Sequence, residues 1–321
     1  MNNGPVEIHG TCEPGFEPVR EAFAANFAER GEIGASVAVV AGGRPVVNLW
    51  AGSADPARTR PWQPDTLTNV WSTTKAVTSL AAHLLMDRGE LDPDAPVARY
   101  WPEFGQAGKG DIPVRLIMSH QSGLTGLAVP ASVTDYYDWE KITGLLAAQE
   151  PFFPPGSASG YQAITFGYLV GEVIRRIAGQ TCGRLIAAEI AGPLGADFHI
   201  GLAEADLGRC ADLQGVRPSE DEQAQLAQAY ANAHPAALAA LLNPALTGDE
   251  ANEPGWRMAE IPAANGHATA LGLATILGAV ADGSGRLIST ATLAKTRTGP
   301  GPPRRPRRGS RRPAARRSRR R

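Results

Sequence analysis

Cysteine is scarce in this sequence. Only Cys12, Cys182 and Cys210 occur, far apart and odd in number. Without metal-type spacing they indicate neither a disulfide framework nor a zinc site, and they read as buried or idle thiols. No apolar run is long enough to cross a membrane. Met1 to Pro18 lacks a basic start followed by an apolar stretch, so no secretory signal is visible and a cytoplasmic location is expected. His9, His83, His199 and His234 have no metal-ligand spacing, and no metal or cofactor is expected. A Gly-x-Ser-x-Gly elbow is missing, which argues against an α/β-hydrolase. A phosphate loop, a dinucleotide fingerprint and an internal repeat are missing too.

What is present is ordinary in bulk and unusual at one end. Hydrophobic residues make up 43% of the 321 positions and charged residues 20%, as in a globular protein with a sizeable core. The net charge of −1 hides an asymmetry: eleven of the 31 basic residues are arginines between Gly299 and Arg321, a stretch with no acidic residue. The remaining body is therefore acidic, near −12, and does not resemble a nucleic-acid binder. The Arg/Pro mixture cannot bury apolar surface, so disorder is expected there. The change of character after Thr296 suggests truncation or a shifted reading frame, with a natural basic tail as the alternative.

Hydrophobic spacing sets out the elements. Phe16, Val19, Phe23 and Phe27 mark a helix from about Gly15 to Arg30. Two β-rich runs, 35–41 and 44–51, flank Gly42-Gly43 as a hairpin. A helix followed by antiparallel strands begins an α+β sheet and not a βαβ repeat. Helices are expected over 75–88, 114–119, 164–178, 182–191, 267–281 and 288–295, with a strand over 198–202. The stretch 203–256 is Ala-rich and poorly patterned.

The chemistry centres on Ser72-Thr73-Thr74-Lys75. In a helix starting at the serine, positions i and i+3 share one side, which sets the lysine amine beside the hydroxyl. A free hydroxyl needs an adjacent group to take its proton, and a lysine serves only if burial or nearby positive charge lowers its pKa. A helix N-terminus favours developing negative charge on the serine. Alone, this spacing arises about once by chance in a chain of this length. Its context is Trp71 before it, an apolar helix after it, and Tyr161 downstream. Tyr161 is presented by a Gly-rich turn, 155–163, just before a helix. A tyrosine sharing its proton with Lys75 can shuttle a proton from Ser72 to a leaving group.

Four segments occur in order: Val70-Trp71-Ser72-Thr73-Thr74-Lys75, Leu91 to Val97, Leu116 to Leu124, and Pro155 to Tyr161. Together they resemble the β-lactamase-related serine hydrolases, a group that includes class C β-lactamases, penicillin-binding DD-peptidases and family VIII carboxylesterases. The resemblance runs from about Phe16 to Thr296. It implies an α+β fold, an antiparallel sheet flanked by helices plus a helical lobe, with the site between them. It also implies an acyl-enzyme on Ser72, with Lys75 and Tyr161 handling protons and a small-molecule ester as substrate. Residues 1–297 are then the hydrolase domain and 298–321 the tail. Trp71, Ala163, Trp256 and His267 are candidate substrate contacts. His120 reads as a structural turn, and Asn265, in Asn265-Gly266-His267, either lines the site floor or serves as a packing and capping residue.

Two departures matter. Ala163 stands where β-lactamases usually have Asn, which favours an ester over a β-lactam. The third motif, Lys-Thr-Gly or a substitute on a late strand, is not found, since Lys295-Thr296-Arg297-Thr298-Gly299 only shares letters with it. The expected oxyanion hole uses the Ser72 N–H and one from that strand, and losing one donor costs about a hundred- to a thousand-fold in rate. The domain is therefore expected to lack its last strands and helix. Three alternatives stand beside an esterase: a β-lactamase or peptidase-like amidase, a non-catalytic remnant, and a polyanion-binding role for the arginines. No nucleic-acid or membrane partner is expected, and the sequence does not fix an oligomeric state.

Overall fold

A computed structural model describes residues 6–297 apart from 216. The tail 298–321, with its expected disorder, lies outside the described residues. Strand β1 (Ile8–Cys12) leads into helix α1 (Glu17–Glu29), and β2 (Gly34–Ala41) and β3 (Arg44–Gly52) form the expected hairpin. These three make an antiparallel sheet in the order β1-β3-β2. Ile8 pairs with Ala51 and Gly34 with Gly52, and a register shift falls between Val39 and Val40. Phe23 of α1 packs with Val47, Leu49 and Ala51, while the Ala270–Ala281 helix lies against β2 and β3. The buried residues of the hairpin, Val46, Val47, Leu49 and Ala51, all lie on its central strand β3, while β2 is half-buried.

A second small antiparallel sheet joins distant parts of the chain. It has the order β4-β6-β5, with β4 at Thr68–Asn69, β5 at Phe198–Ile200 and β6 at Gly266–Ala268. The residues around the Ser-Lys motif are thereby tied to segments about two hundred positions away in sequence. Val70 N–H donates to Gly266 O at 2.8 Å, and Asn69 Nδ2 donates to Ala264 O at 3.1 Å.

The main core is helical. It gathers α2 (Thr74–Asp87), α3 (Val114–Met118), α4 (Trp139–Ala148), α5 (Thr165–Ala178) and α6 (Cys182–Ile186). The first ten residues of α5 are buried, including Glu172, which is paired with Arg175 and Arg176. Lys109 is also fully buried. Its ammonium donates to three carbonyls, those of Gln106, Ala147 and Gln149, which offset the loss of water. The fold is α+β with antiparallel sheets and a helical lobe, as the sequence indicated.

The structure redraws several boundaries. The expected helix from His267 is a strand at Gly266–Ala268, and the helix begins at Ala270, where Thr269 Oγ1 accepts from Gly272 N–H. The poorly patterned stretch holds helices at Glu220–Ala231, Pro235–Leu242 and Pro254–Met258. Among the described residues no helix is long and apolar enough to cross a membrane.

Helix α5 approaches the 262–263 backbone too closely for any side chain at Gly167. A Cβ there would lie 2.6 Å from Ala263 N and 2.7 Å from Pro262 C. An alanine gains about 1 kcal/mol in helix propensity, but overpacking against a fixed backbone typically costs about 1–3 kcal/mol. Gly167→Ala is therefore expected to lower the thermal midpoint, a result that scanning calorimetry reads directly.

Candidate active site

Ser72 lies in a 3-10 turn, Trp71–Thr73, that feeds into α2. The expected helix start at the serine is replaced by this tighter turn. Trp71 has φ +45°, a conformation that bulky residues rarely adopt. Its ring rests on Trp256 at 5.5 Å, and its carbonyl accepts from Thr74 Oγ1 at 2.5 Å. Thr74 Oγ1 also accepts from Gly266 N–H at 2.8 Å. One hydroxyl thus pins the serine turn to β6.

Ser72 Oγ accepts from the Tyr161 hydroxyl at 2.7 Å and from Lys75 Nζ at 3.1 Å. The other two Nζ bonds go to Ala163 O at 2.7 Å and Ala263 O at 2.9 Å. All three ammonium donors are therefore used, and Lys75 is only 8% exposed. Burial pulls its pKa below the ordinary lysine value, partly opposed by the neighbouring Tyr161 oxygen. At Tyr161 burial acts upward, but the hydrogen bond to Ser72 and the Lys75 charge prevail and bring the phenol below 10. The arrangement lowers the proton affinity of both groups that touch the serine oxygen, as proton exchange with it requires.

The turn carrying Tyr161 is clamped by the Leu116–Leu124 segment. Gly160 N–H donates to His120 O and Gly156 N–H to Gln121 O, each at 2.8 Å. Gln162 is buried and bridges Ser122 and Ile117. His120 sits at φ +61°. Its Nδ1 accepts from Gln162 N–H at 3.2 Å, and its ring packs 5.1 Å from Tyr161. Burial, then the Lys75 charge, lowers its pKa, so it stays neutral beside the lysine. This geometry makes His120 a holder of Tyr161.

The remaining candidates separate. Ala163 acts through its main-chain carbonyl, so Lys75 is positioned there without a side-chain amide. Trp71 is half-buried beside the serine. Trp256 is 1% exposed and donates its indole N–H to Asn69 Oδ1, which places it in the interior. His267 is equally buried, in β6, with Nδ1 bonded to Asn265 O. Asn265 does not cap the following helix. Its amide ties Trp256 O, Ala259 O and Ile261 N together, shaping the turn that presents Ala263 O. Sequence reasoning missed Thr74, although it stands inside the motif, and Ala263, whose contribution is a carbonyl that every residue type has. Among the described residues no group of acidic, histidine or cysteine side chains could hold a metal ion.

The family described as Beta-lactamase matches residues 19–315. Esterase/beta-lactamase LipL of Mycobacterium tuberculosis is 38% identical over 291 residues, 86% of this chain and 65% of LipL. The chain therefore spans just under two thirds of that relative's length. Among solved structures, a family VIII carboxylesterase shares 43% identity with a TM-score of 0.83, over 90% of this chain and 76% of its own. A penicillin-binding protein homologue from Caulobacter crescentus shares 42% identity with a TM-score of 0.79, over 89% and 76%.

His267 generates a pH prediction. Burial is the main cause that lowers its pKa from 6.5 to about 4; the hydrogen bond with Asn265 O opposes it, and Arg257 and His199 add lesser downward pulls. Between these values the unfolded chain binds the proton and the folded one does not, so acid favours unfolding. The contribution is complete above pH 6.5 and falls away by about 3 kcal/mol as pH drops to 4. His267→Gln should flatten this part of the stability–pH curve in urea melts. An unchanged slope would exclude His267 as its source.

Proposed function

The chain belongs to the β-lactamase family, and from that premise we propose that it hydrolyses carboxylic esters through an acyl-enzyme on Ser72. The observation that carries this reading is the Ser72 oxygen, held at once by Tyr161 and Lys75. With the pair carrying one proton fewer, Tyr161 takes the Ser72 proton as Oγ bonds to the ester carbonyl carbon. The C–O bond to the alcohol then breaks, and the same proton passes to the departing oxygen. Water, losing its proton to the same pair, attacks the acyl carbon and releases the acid, and Ser72 regains its hydrogen. The Ser72 N–H, in the 3-10 turn that leads into α2, can bind the oxyanion.

Esters are favoured over β-lactams and amides. Ala163 offers only a carbonyl, which Lys75 occupies, and no side-chain amide donor. The carboxylesterase similarity supports the same preference.

A second reading, an impaired hydrolase, is favoured by the oxyanion side. No strand follows Ala268 among the described residues, and the outer edge of β2 has no strand partner among them. A hydrolase whose one oxyanion donor is the Ser72 N–H would run about a hundred- to a thousand-fold slower.

A fluorophosphonate should label wild-type protein at Ser72, and Ser72→Ala should abolish both labelling and p-nitrophenyl butyrate turnover. Full labelling with turnover hundreds of times slower than in related esterases supports the second reading, while no labelling sinks both. Tyr161→Phe should lower kcat by about 10²–10⁴-fold.

Protonation removes the base, so kcat/KM should rise with pH through the apparent pKa of the Lys75–Tyr161 pair, both members of which are shifted below their ordinary values. A rate that falls over that range contradicts the assignment. Side by side, esters should be cleaved and nitrocefin barely.

A further inference from the structure

A hollow of about 400 Å³ opens beside Tyr161, and the buried Lys75 is not among the residues that line it. Phe153, Gly160, Tyr161, Ala237, Ala240 and Leu241 line it. Tyr161 and Leu241 are 46% and 49% exposed, among the most exposed large apolar side chains described. We propose that this hollow receives the alcohol part of the ester, and that the alanines of the Pro235–Leu242 helix set the size of the uncharged, apolar alcohol it admits. The proposal rests on the ester-hydrolase reading above.

The side of the scissile bond follows from proton chemistry. The departing alcohol oxygen needs a proton, and its donor must come within about 2.6–3.2 Å of it. Lys75 is buried with all three donors engaged. Tyr161 is exposed, and its hydroxyl stands 2.7 Å from the Ser72 oxygen. The alcohol oxygen therefore comes to Tyr161, and whatever that oxygen carries continues along the Tyr161 ring into the adjoining hollow.

The lining explains which alcohols fit. It contains no carboxylate, lysine or arginine. Beyond the Tyr161 hydroxyl, its polar side chains are Ser159 and His234, and His234 Nδ1 already accepts from Ala236 N–H at 3.1 Å. Desolvating a charged alcohol against such a surface is unfavourable, and an aromatic or aliphatic one gains from the contact.

The wall is fixed at both ends. Thr125 Oγ1 donates to Ala236 O at 2.6 Å. Asn243 donates to Leu127 O and Val129 O and accepts from Ala131 N–H. Gly126 lies so close that a Cβ there would be 2.1 Å from Ala239 O. A wall held this way cannot retreat from a larger side chain, so added volume at Ala240 is subtracted from the ligand.

Two substrate series test the idea. One fixes acetate and varies the alcohol through methyl, phenyl and 1-naphthyl acetates. The other fixes p-nitrophenol and varies the acyl group from acetyl to octanoyl. In wild type, kcat/KM should rise with alcohol size. Ala240→Trp should lower the 1-naphthyl-to-methyl acetate ratio by at least about tenfold, while acting by one common factor across the acyl series. Loss graded with acyl length instead would put the acyl chain in the hollow and overturn the proposal. So would equal loss for every ester in the first series. Fluorophosphonate labelling of the variant at the wild-type rate shows that it is folded. Ala237→Phe provides a second, more exposed block. If the wild-type protein is neither labelled nor turns over any ester, the underlying hydrolase reading fails, and the subsite falls with it.

Discussion

The buried ammonium of Lys75 is the constraint around which the rest is arranged. A charged group with 8% exposure is tolerated only if each of its donors finds an acceptor. Here the acceptors come from three separate parts of the chain: Ser72 Oγ one helical turn away, Ala163 O before α5, and Ala263 O before β6. Meeting this one requirement brings together the serine turn, the tyrosine turn and the second sheet. The same burial lowers the lysine's proton affinity, so the feature that is expensive for the fold is the one useful for chemistry.

Each of the three segments has its own support. The serine turn hangs on Thr74, whose hydroxyl joins Trp71 O to Gly266 N. The tyrosine turn is strapped to His120 and Gln121 by main-chain bonds, with Gln162 beneath it. The Ala263 carbonyl is aimed by Asn265, while Thr78 of α2 donates to the neighbouring Pro262 O. Distances of 2.7 and 3.1 Å at the Ser72 oxygen thus depend on side chains that never reach it.

Legibility in the sequence followed the strength of the apolar stripe. Helices α2 and α5 are legible because each buries a continuous face, and the β2–β3 hairpin because its two apolar runs flank Gly42-Gly43. The Glu220–Ala231 helix has no buried residue, so it leaves no stripe to read. Pro235–Leu242 is alanine and leucine on all sides and shows no contrast. Strand β1 buries none of its residues fully, and β4 is two residues long. The apolar period of the following helix runs back through His267, whereas the backbone pairs it with His199 and Asn69. Its burial removes it from the cleft, and Trp256 is removed for the same reason.

The sequence by itself determined which residue types could do the chemistry. Ser72 and Lys75 are local partners through helical spacing, Tyr161 stands out on a Gly-rich turn before a helix, and the four ordered segments carry the family resemblance. Only the tertiary structure decided how the lysine is held, because two of its three acceptors are main-chain carbonyls, which leave no mark on residue identity. It also decided that Ala163 serves through its backbone, that His120 supports Tyr161, and that an alanine-walled hollow lies beside the phenol. These are contacts between positions about forty to two hundred apart, and such contacts come from packing, which local periodicity does not encode.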